Sequence, residues 1–149
     1  MNVTLAHMGP RFSSNDPLQG PTLTYLERCA NSLRCADQAF KTEDALFVWL
    51  DRQRGRTPAL LVLLDSRGKQ MGSEAFAAWL GAHSERGVQH VVFAIGPASG
   101  WSDTSRTRAT LLLSLGHFTL AHALARLVLA EQLYRATTIL TGHPYHTGH

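Results

Sequence analysis

Residues able to move protons or hold anions are concentrated late in this 149-residue chain. Five of its eight histidines, His117, His122, His143, His146 and His149, lie within the final 33 positions. Imidazoles titrate near neutrality and also bind metals. A zinc site nevertheless lacks its usual spacing here: there is no HExxH, and the two cysteines, Cys29 and Cys35, stand far upstream. His122 reads equally as a packed helix residue or a ligand, and His149, in a terminal GH dipeptide, is expected to fray. His146 is the sharper candidate, because Pro144 and Tyr145 restrict its approach and Arg135 lies one helix length upstream. Within EQLYRA, residues 131–136, Glu131 and Arg135 are spaced for an i,i+4 ion pair worth about 0.2–0.5 kcal/mol. The same arginine is also suited to holding an anion.

A second group of residues lies at two apolar-to-polar transitions, LLDSRGK at 63–69 and AIGPASG at 94–100. If the apolar parts are parallel strands, their carboxyl ends open onto the edge where ligands bind in such sheets. Gly96 and Gly100 serve either as ordinary turn residues or as points of close backbone approach to a cofactor, and Asp65 either caps a strand end or acts in the site. Neither GxGxxG nor a Walker lysine motif is present, which argues against a dinucleotide fold and a P-loop ATPase.

The elements that must position these residues follow from periodicity. Residues 2–7 form a weak first strand, followed by a turn-rich loop at 11–21. Leu23, Leu26, Ala30 and Leu33 define a helical stripe through 22–35, and Leu46, Phe47 and Leu50 a second, stopped at Gly55. ALLVLLD at 59–65 and VQHVVFAIG at 88–96 read as strands buried on both faces. Between them lies a helix starting near Gly72-Ser73, with Ser73 as N-cap and Phe76, Ala77 and Leu80 facing the sheet. Ser102 or Asp103 caps a short helix running through ATLL. A strand-like LLLSLG follows, then an unbroken helix from about Ala121 to Leu140, whose face holds Leu124, Leu127, Val128, Glu131, Tyr134 and Arg135. Leu127, Val128 and Leu133 offer that helix an isologous contact with a second copy. The chain is thus expected to be one α/β domain, residues 1–149, with a compact parallel sheet and right-handed crossovers.

Composition sets further bounds. No apolar run approaches the roughly 18 residues of a membrane span, and the N-terminus lacks an export pattern, so the expected location is cytoplasmic. The net charge of +3 does not by itself identify a polyanionic partner, but twelve of the fourteen basic residues are arginines, whose planar fork suits phosphate and carboxylate.

The stretches LLDSRGKQMGSEAFAAWL, FAIGPASG and LSLGHFTLAHALARLVLAEQLYRATTI, with the terminal PYH, resemble the small SPOUT methyltransferases, specifically the bacterial 23S rRNA pseudouridine N3-methyltransferase family. The likeness is strong from Leu60 onward and loose before it. It implies a SPOUT-type trefoil-knotted α/β domain, an obligate homodimer, and S-adenosyl-L-methionine as cofactor, with no metal and no membrane. The implied substrate is 23S rRNA within the 70S ribosome. By match to the family, cofactor positions fall on Leu64, Gly96, Leu115, Gly116, His117, Phe118 and Thr119. His122, Arg126, Glu131, Gln132, Tyr134 and Arg135 match the helix signature, and the acceptor side falls on His146, Tyr145 and Arg135. Residues 121–149 are expected to complete both the site and the dimer interface. The chain departs from the family at Pro97, where glycine is usual, in the loop SLGHF at 114–118, where a second serine is common, and at Thr147, where a basic residue often follows PYH. Basic residues are also sparse in the N-terminal region. A noncatalytic dimeric RNA-binding or ribosome-associated protein of the same fold is the alternative, with an unrelated small-molecule α/β enzyme third.

Overall fold

Alternating apolar residues in five short segments build one parallel sheet in the computed structural model, which describes residues 1–53 and 57–148. The strands are β1 (Asn2–Met8), β2 (Arg34–Phe40), β3 (Leu60–Gln70), β4 (His90–Ile95) and β5 (Leu111–Ser114). Their order is β2-β1-β4-β3-β5, every pairing being parallel. The helices are α1 (Gln19–Arg28), α2 (Glu43–Arg52), α3 (Ser73–Glu85), α4 (Asp103–Arg108) and α5 (His122–Thr141). Period-2 alternation sends Val91, Phe93 and Ile95 into the layer beneath α1, α3 and α5, where Leu26, Phe76, Leu80, Leu129 and Leu133 meet them. Val92, Ala94, Leu61 and Leu63 face the other way, onto Leu46, Phe47 and Trp101. Two-sided burial explains why Leu60–Leu64 of β3 and Val91–Ile95 of β4 are continuous apolar runs. Among the described residues, no helix is long and apolar enough to cross a membrane.

Several expectations need correction. The helix expected through residue 35 stops at Arg28, and Ser32 and Leu33 donate backbone hydrogen bonds to Cys29 O in a reversing turn. The chain then enters β2, which pairs with β1 across seven residues from Asn2↔Arg34 to Met8↔Phe40. A full ladder on the open edge of β1 outweighs the local helical stripe, and Leu33 still reaches the core from the turn. Ser73 is not an N-cap: Gly72 holds that place, and the Ser73 hydroxyl donates to Gln132 Oε1 at 2.6 Å. Ser102, not Asp103, caps α4, and ATLL leaves the helix for β5, where Thr110 N donates to Leu61 O at 2.8 Å. The expected stop at Gly55 and the terminal His149 lie outside the described residues.

β3 runs past Asp65 because its far end pairs again with β5, Lys69↔Leu113 and Gln70↔Ser114, after a bulge between Leu64 and Lys69. Gly68 makes this return feasible. A Cβ there would sit 2.6 Å from the backbone C and O of Leu112, closer than any side chain tolerates. At its far end α5 closes on Gly142 in the left-handed conformation, φ +74°.

Candidate functional site

The strand exits of β3, β4 and β5 converge as expected. The bulged stretch of β3 after Leu64 and the segments after β4 and β5 form a cleft of about 260 Å³ lined by Leu64–Arg67, Ile95–Pro97, Gly100, Trp101, Arg106 and the segment around Leu115–Leu120, with His122 and Ala125 from the first turn of α5. Leu64, Ile95, Leu113, Leu115 and Ala125 give it apolar walls, while Arg67 and Arg106 provide cations. Of the seven sequence-assigned cofactor positions, Leu64, Gly96, Leu115, Gly116, Phe118 and Thr119 line this cleft. His117 does not: its Nε2 lies 3.0 Å from Gln70 Nε2, turned away along β3.

The loops are held in place by identifiable contacts. Trp101 is buried, stacks its indole where a Cβ on Gly96 would fall, and donates Nε1–H to Leu64 O at 3.0 Å. The glycine at 96 thus serves close packing against a tryptophan. Arg106 donates Nε–H to Asp65 Oδ2 at 2.7 Å, and the Arg67 backbone N–H donates to Asp65 Oδ1 at 2.9 Å. Burial pushes the Asp65 carboxyl up, but these donors and the arginine charges outweigh it and hold the group below the usual carboxylate range. Asp65 therefore fixes the arginine at the rim as a carboxylate. Glu43, at the start of α2, accepts from Ser102 N and both serine hydroxyls of the α4 cap, tethering the 97–102 loop to the sheet's other layer.

The tail residues form a second assembly centred on Glu131. Its Oε1 accepts from Arg135 Nη2 at 2.6 Å and from Tyr145 Oη at 3.0 Å, and its Oε2 accepts from Gln132 Nε2 at 2.8 Å. Tyr145 packs edge-on against Tyr134 and lies under the Arg135 guanidinium. Burial, then hydrogen bonding with Tyr25 and Glu131, raises the Tyr145 phenol far above its ordinary range, so at neutral pH it is a donor and not a base. His146 Nδ1 lies 3.0 Å from Arg135 Nη1. A guanidinium has only donors, so Nδ1 accepts and, in the neutral ring, Nε2 carries the proton, facing Glu74 Oε1 at 3.4 Å. The three acceptor-side assignments, Arg135, Tyr145 and His146, thus come together with Glu131, as EQLYRA and PYH suggested. They do not reach the strand-exit cleft. Ten residues of α5 separate Ala125 from Arg135, about 15 Å at 1.5 Å per residue. A second cleft of about 300 Å³, bordered by Ser73, Val128 and Gln132 and sharing Leu113, Leu115 and Gly116 with the first, lies between them.

Other roles emerged only in three dimensions. Arg126 is 1% exposed, its Nη2 2.7 Å from Asp37 Oδ2 without a linear hydrogen bond, while Nη1 donates to Gln19 Oε1 at 2.7 Å. Phe12 covers its guanidinium and touches the buried His7. Leu133 lies wholly in the core, so it is no part of an outward α5 face. Leu124 is exposed, and Leu127, Val128 and Tyr134 are half-buried. Among the described residues, no cluster of three or more His, Cys, Asp or Glu is arranged to hold a metal.

Residues 12–146 match the family described as "Predicted SPOUT methyltransferase". The ribosomal RNA large subunit methyltransferase H of Koribacter versatilis (strain Ellin345) is 51% identical over 132 residues, covering 89% of this chain and 90% of the relative. The protein of the same name from Brucella anthropi is 42% identical over 136 residues, 91% and 83% of the two chains. The crystal structure of the SpoU methyltransferase AviRb from Streptomyces viridochromogenes in complex with AdoMet aligns with a TM-score of 0.47 and 15% identity, over 91% of this chain and 57% of that one. This chain therefore spans little more than half the length of that protein.

Proposed function

The chain belongs to the SPOUT methyltransferase family, and on that premise we propose that it transfers a methyl group from S-adenosylmethionine to large-subunit ribosomal RNA. The proposed acceptor is N3 of a pseudouridine in a 23S rRNA stem-loop on the assembled 70S ribosome, in the cytoplasm. The observation that carries this reading is the convergence of six family-matched positions, scattered from Leu64 to Thr119, on one cleft at the strand exits. The chemistry of that cleft suits the cofactor. Apolar walls from Leu64, Ile95, Leu113 and Leu115 accept a purine face, glycine-containing turns offer backbone groups to ribose and amine, and Arg67 and Arg106 provide cations for a carboxylate.

When bound, S-adenosylmethionine supplies the electrophilic methyl carbon of a sulfonium. The chain must align a protonated, weakly nucleophilic uracil-type N3 with it and relieve the proton. In this reading Arg135 stabilises negative charge developing on the base carbonyls, and Glu131, which accepts from its Nε and Nη2, keeps the guanidinium in position. Tyr145, held protonated, donates its hydroxyl to Glu131 Oε1 and so positions that carboxylate under Arg135. His146 accepts the N3 proton at Nδ1 only after Arg135 releases that atom to the substrate.

The separation of this cluster from the cleft, and the incompletely covered α5 face of Leu124, Leu127 and Val128, support a homodimer in which the tail of one copy completes the cleft of the other. One domain, residues 1–149, supplies both halves of the site, with 121–149 bridging them. The return of β3 onto β5 over Gly68 is compatible with a trefoil knot in the segment between them.

Titration with S-adenosylmethionine tests the enzyme reading. Binding by a folded dimer is expected, and failure to bind even with ribosomes present would favour a noncatalytic RNA-binding protein of this fold. Mixing a cleft-disabled variant with His146→Ala should restore transfer if the site is shared between copies. No recovery in verified mixed dimers would overturn the shared site.

A further inference from the structure

Phe118 is the most exposed large apolar side chain among the described residues, at 90% of its surface. Its family-matched assignment is to the cofactor, and its segment does border the cleft. Yet a ring this exposed contributes little to the cleft wall; the backbone on either side of it forms the edge. The exposure is held by the loop. Gly116 adopts φ +125°, a conformation that side chains rarely take, and Ser114 Oγ bridges the Gly116 N–H and C=O, both at 3.1 Å. The next residue, His117, is anchored to Gln70. The ring thus extends into solvent from a loop fixed on its N-terminal side, at the border of the cleft.

The surroundings decide what fits it. Arg67, 69% exposed, and Arg106 share the cleft lining with Phe118, and the one acid of that lining, Asp65, is buried under both. Arg106 is paired with Asp65 at 2.7 Å and with Asp103 at 3.2 Å, whereas Arg67 reaches Asp65 only at 3.7 Å and keeps donors to spare. An aromatic face beside Arg67 suits an unpaired nucleobase whose backbone phosphate lies near a guanidinium. It suits neither an acidic peptide, which has no flat face, nor a wholly apolar partner. We infer that the Phe118 ring is a stacking platform for an unpaired base of the RNA substrate, with Arg67 contacting the neighbouring phosphate. This inference rests on the reading of the chain as an RNA methyltransferase and assigns a residue to recognition of the single-stranded acceptor loop.

The test compares Phe118→Ala, Phe118→Leu and Phe118→Trp in the full-length protein. Binding to a stem-loop RNA carrying 2-aminopurine beside the acceptor is measured by fluorescence quenching, the KM for ribosomes by labelled methyl transfer, and cofactor affinity by calorimetry. Loss of one base–aromatic stack weakens RNA binding by about 5- to 150-fold. Phe118→Ala and Phe118→Leu should show that loss together with reduced quenching, Phe118→Trp should retain both, and in the Ala and Leu variants the loss of RNA binding should exceed any loss of cofactor affinity. Loss of cofactor affinity with RNA binding intact would make the ring a cofactor wall and overturn the inference. Dissociation of the Ala variant into monomers would place the ring in the dimer contact and also overturn it, as would unchanged RNA binding. Wild-type protein that binds cofactor but methylates no RNA would instead remove the underlying functional reading, so the two failures are distinguishable.

Discussion

Arg126 provides a quantitative test of how the cleft is held. Its guanidinium is 1% exposed and lies against Asp37, Gln19 and the ring of Phe12, drawing β2, the start of α1 and the loop after β1 onto the second turn of α5. Substituting Arg126→Met keeps most of the aliphatic volume and removes the charge. Asp37 then keeps 19% of its side chain exposed and two long contacts, 3.4 Å from Gln19 Nε2 and 3.9 Å from His7 Nδ1. Breaking a buried pair from one side costs about 3–5 kcal/mol, and the residual solvent access of Asp37 places this case near the lower end, about 3 kcal/mol. At a urea slope of about 2 kcal/mol/M, the midpoint should fall by about 1.5 M at fixed protein concentration. Adding Asp37→Leu removes the stranded charge and should recover most of the loss, since apolar replacement of a buried pair is often neutral. A single-variant loss below about 1 kcal/mol, or a double variant no better than the single, would refute the assignment of Arg126 and Asp37 as a structural pair.

Three further outcomes are expected. Gly68→Ala should destabilise by about 1–3 kcal/mol in urea denaturation, because its Cβ meets the Leu112 backbone and not a movable side chain; an unchanged midpoint would mean β3 and β5 do not approach in this way. Burial lowers the pKa of both His7 and His90 from 6.5; at His7 it outweighs the raising effect of the hydrogen bond to the Pro10 carbonyl, and the Arg126 charge adds a smaller lowering. The unfolded chain then binds more protons between the lowered and ordinary values, so stability should be full above about pH 6.5 and decline as pH falls through the depressed range. His7→Gln should flatten that decline in urea midpoints measured from pH 8 to 5, and a midpoint independent of pH would contradict it. Trp101→Phe removes the donor to Leu64 O and should cost about 1 kcal/mol while lowering cofactor affinity, as read by denaturation and calorimetry.

The interior strands and the long helix were legible because their composition has a single reading. Two-sided burial makes Leu60–Leu64 of β3 and Val91–Ile95 of β4 apolar, and α5 carries an uninterrupted helical pattern to Gly142. Edge strand β2 was not legible. RCADQAF is mixed in polarity because it packs mainly through Cys35 and Phe40, and the preceding leucines mimic a continuing helix. The cleft could be anticipated from the chemistry of strand exits, but its fixing contacts could not. Trp101 to Leu64, Arg126 to Asp37 and Tyr145 to Tyr25 join residues far apart in the chain, and nothing local in the sequence marks such partners. Glu131 was visible as the partner of Arg135. Its role as the acceptor for Tyr145 and Gln132 as well required the tail to fold back on α5.

The most direct test of the proposed function is incubation of the protein with a labelled methyl donor and 70S particles lacking the modification, alongside free 50S subunits and free rRNA, followed by mapping of the product nucleotide. Incorporation at N3 of a single 23S rRNA pseudouridine, greatest with 70S particles, is the predicted result. Label confined to protein or to another RNA, or no transfer by a dimer that binds the cofactor, would contradict it.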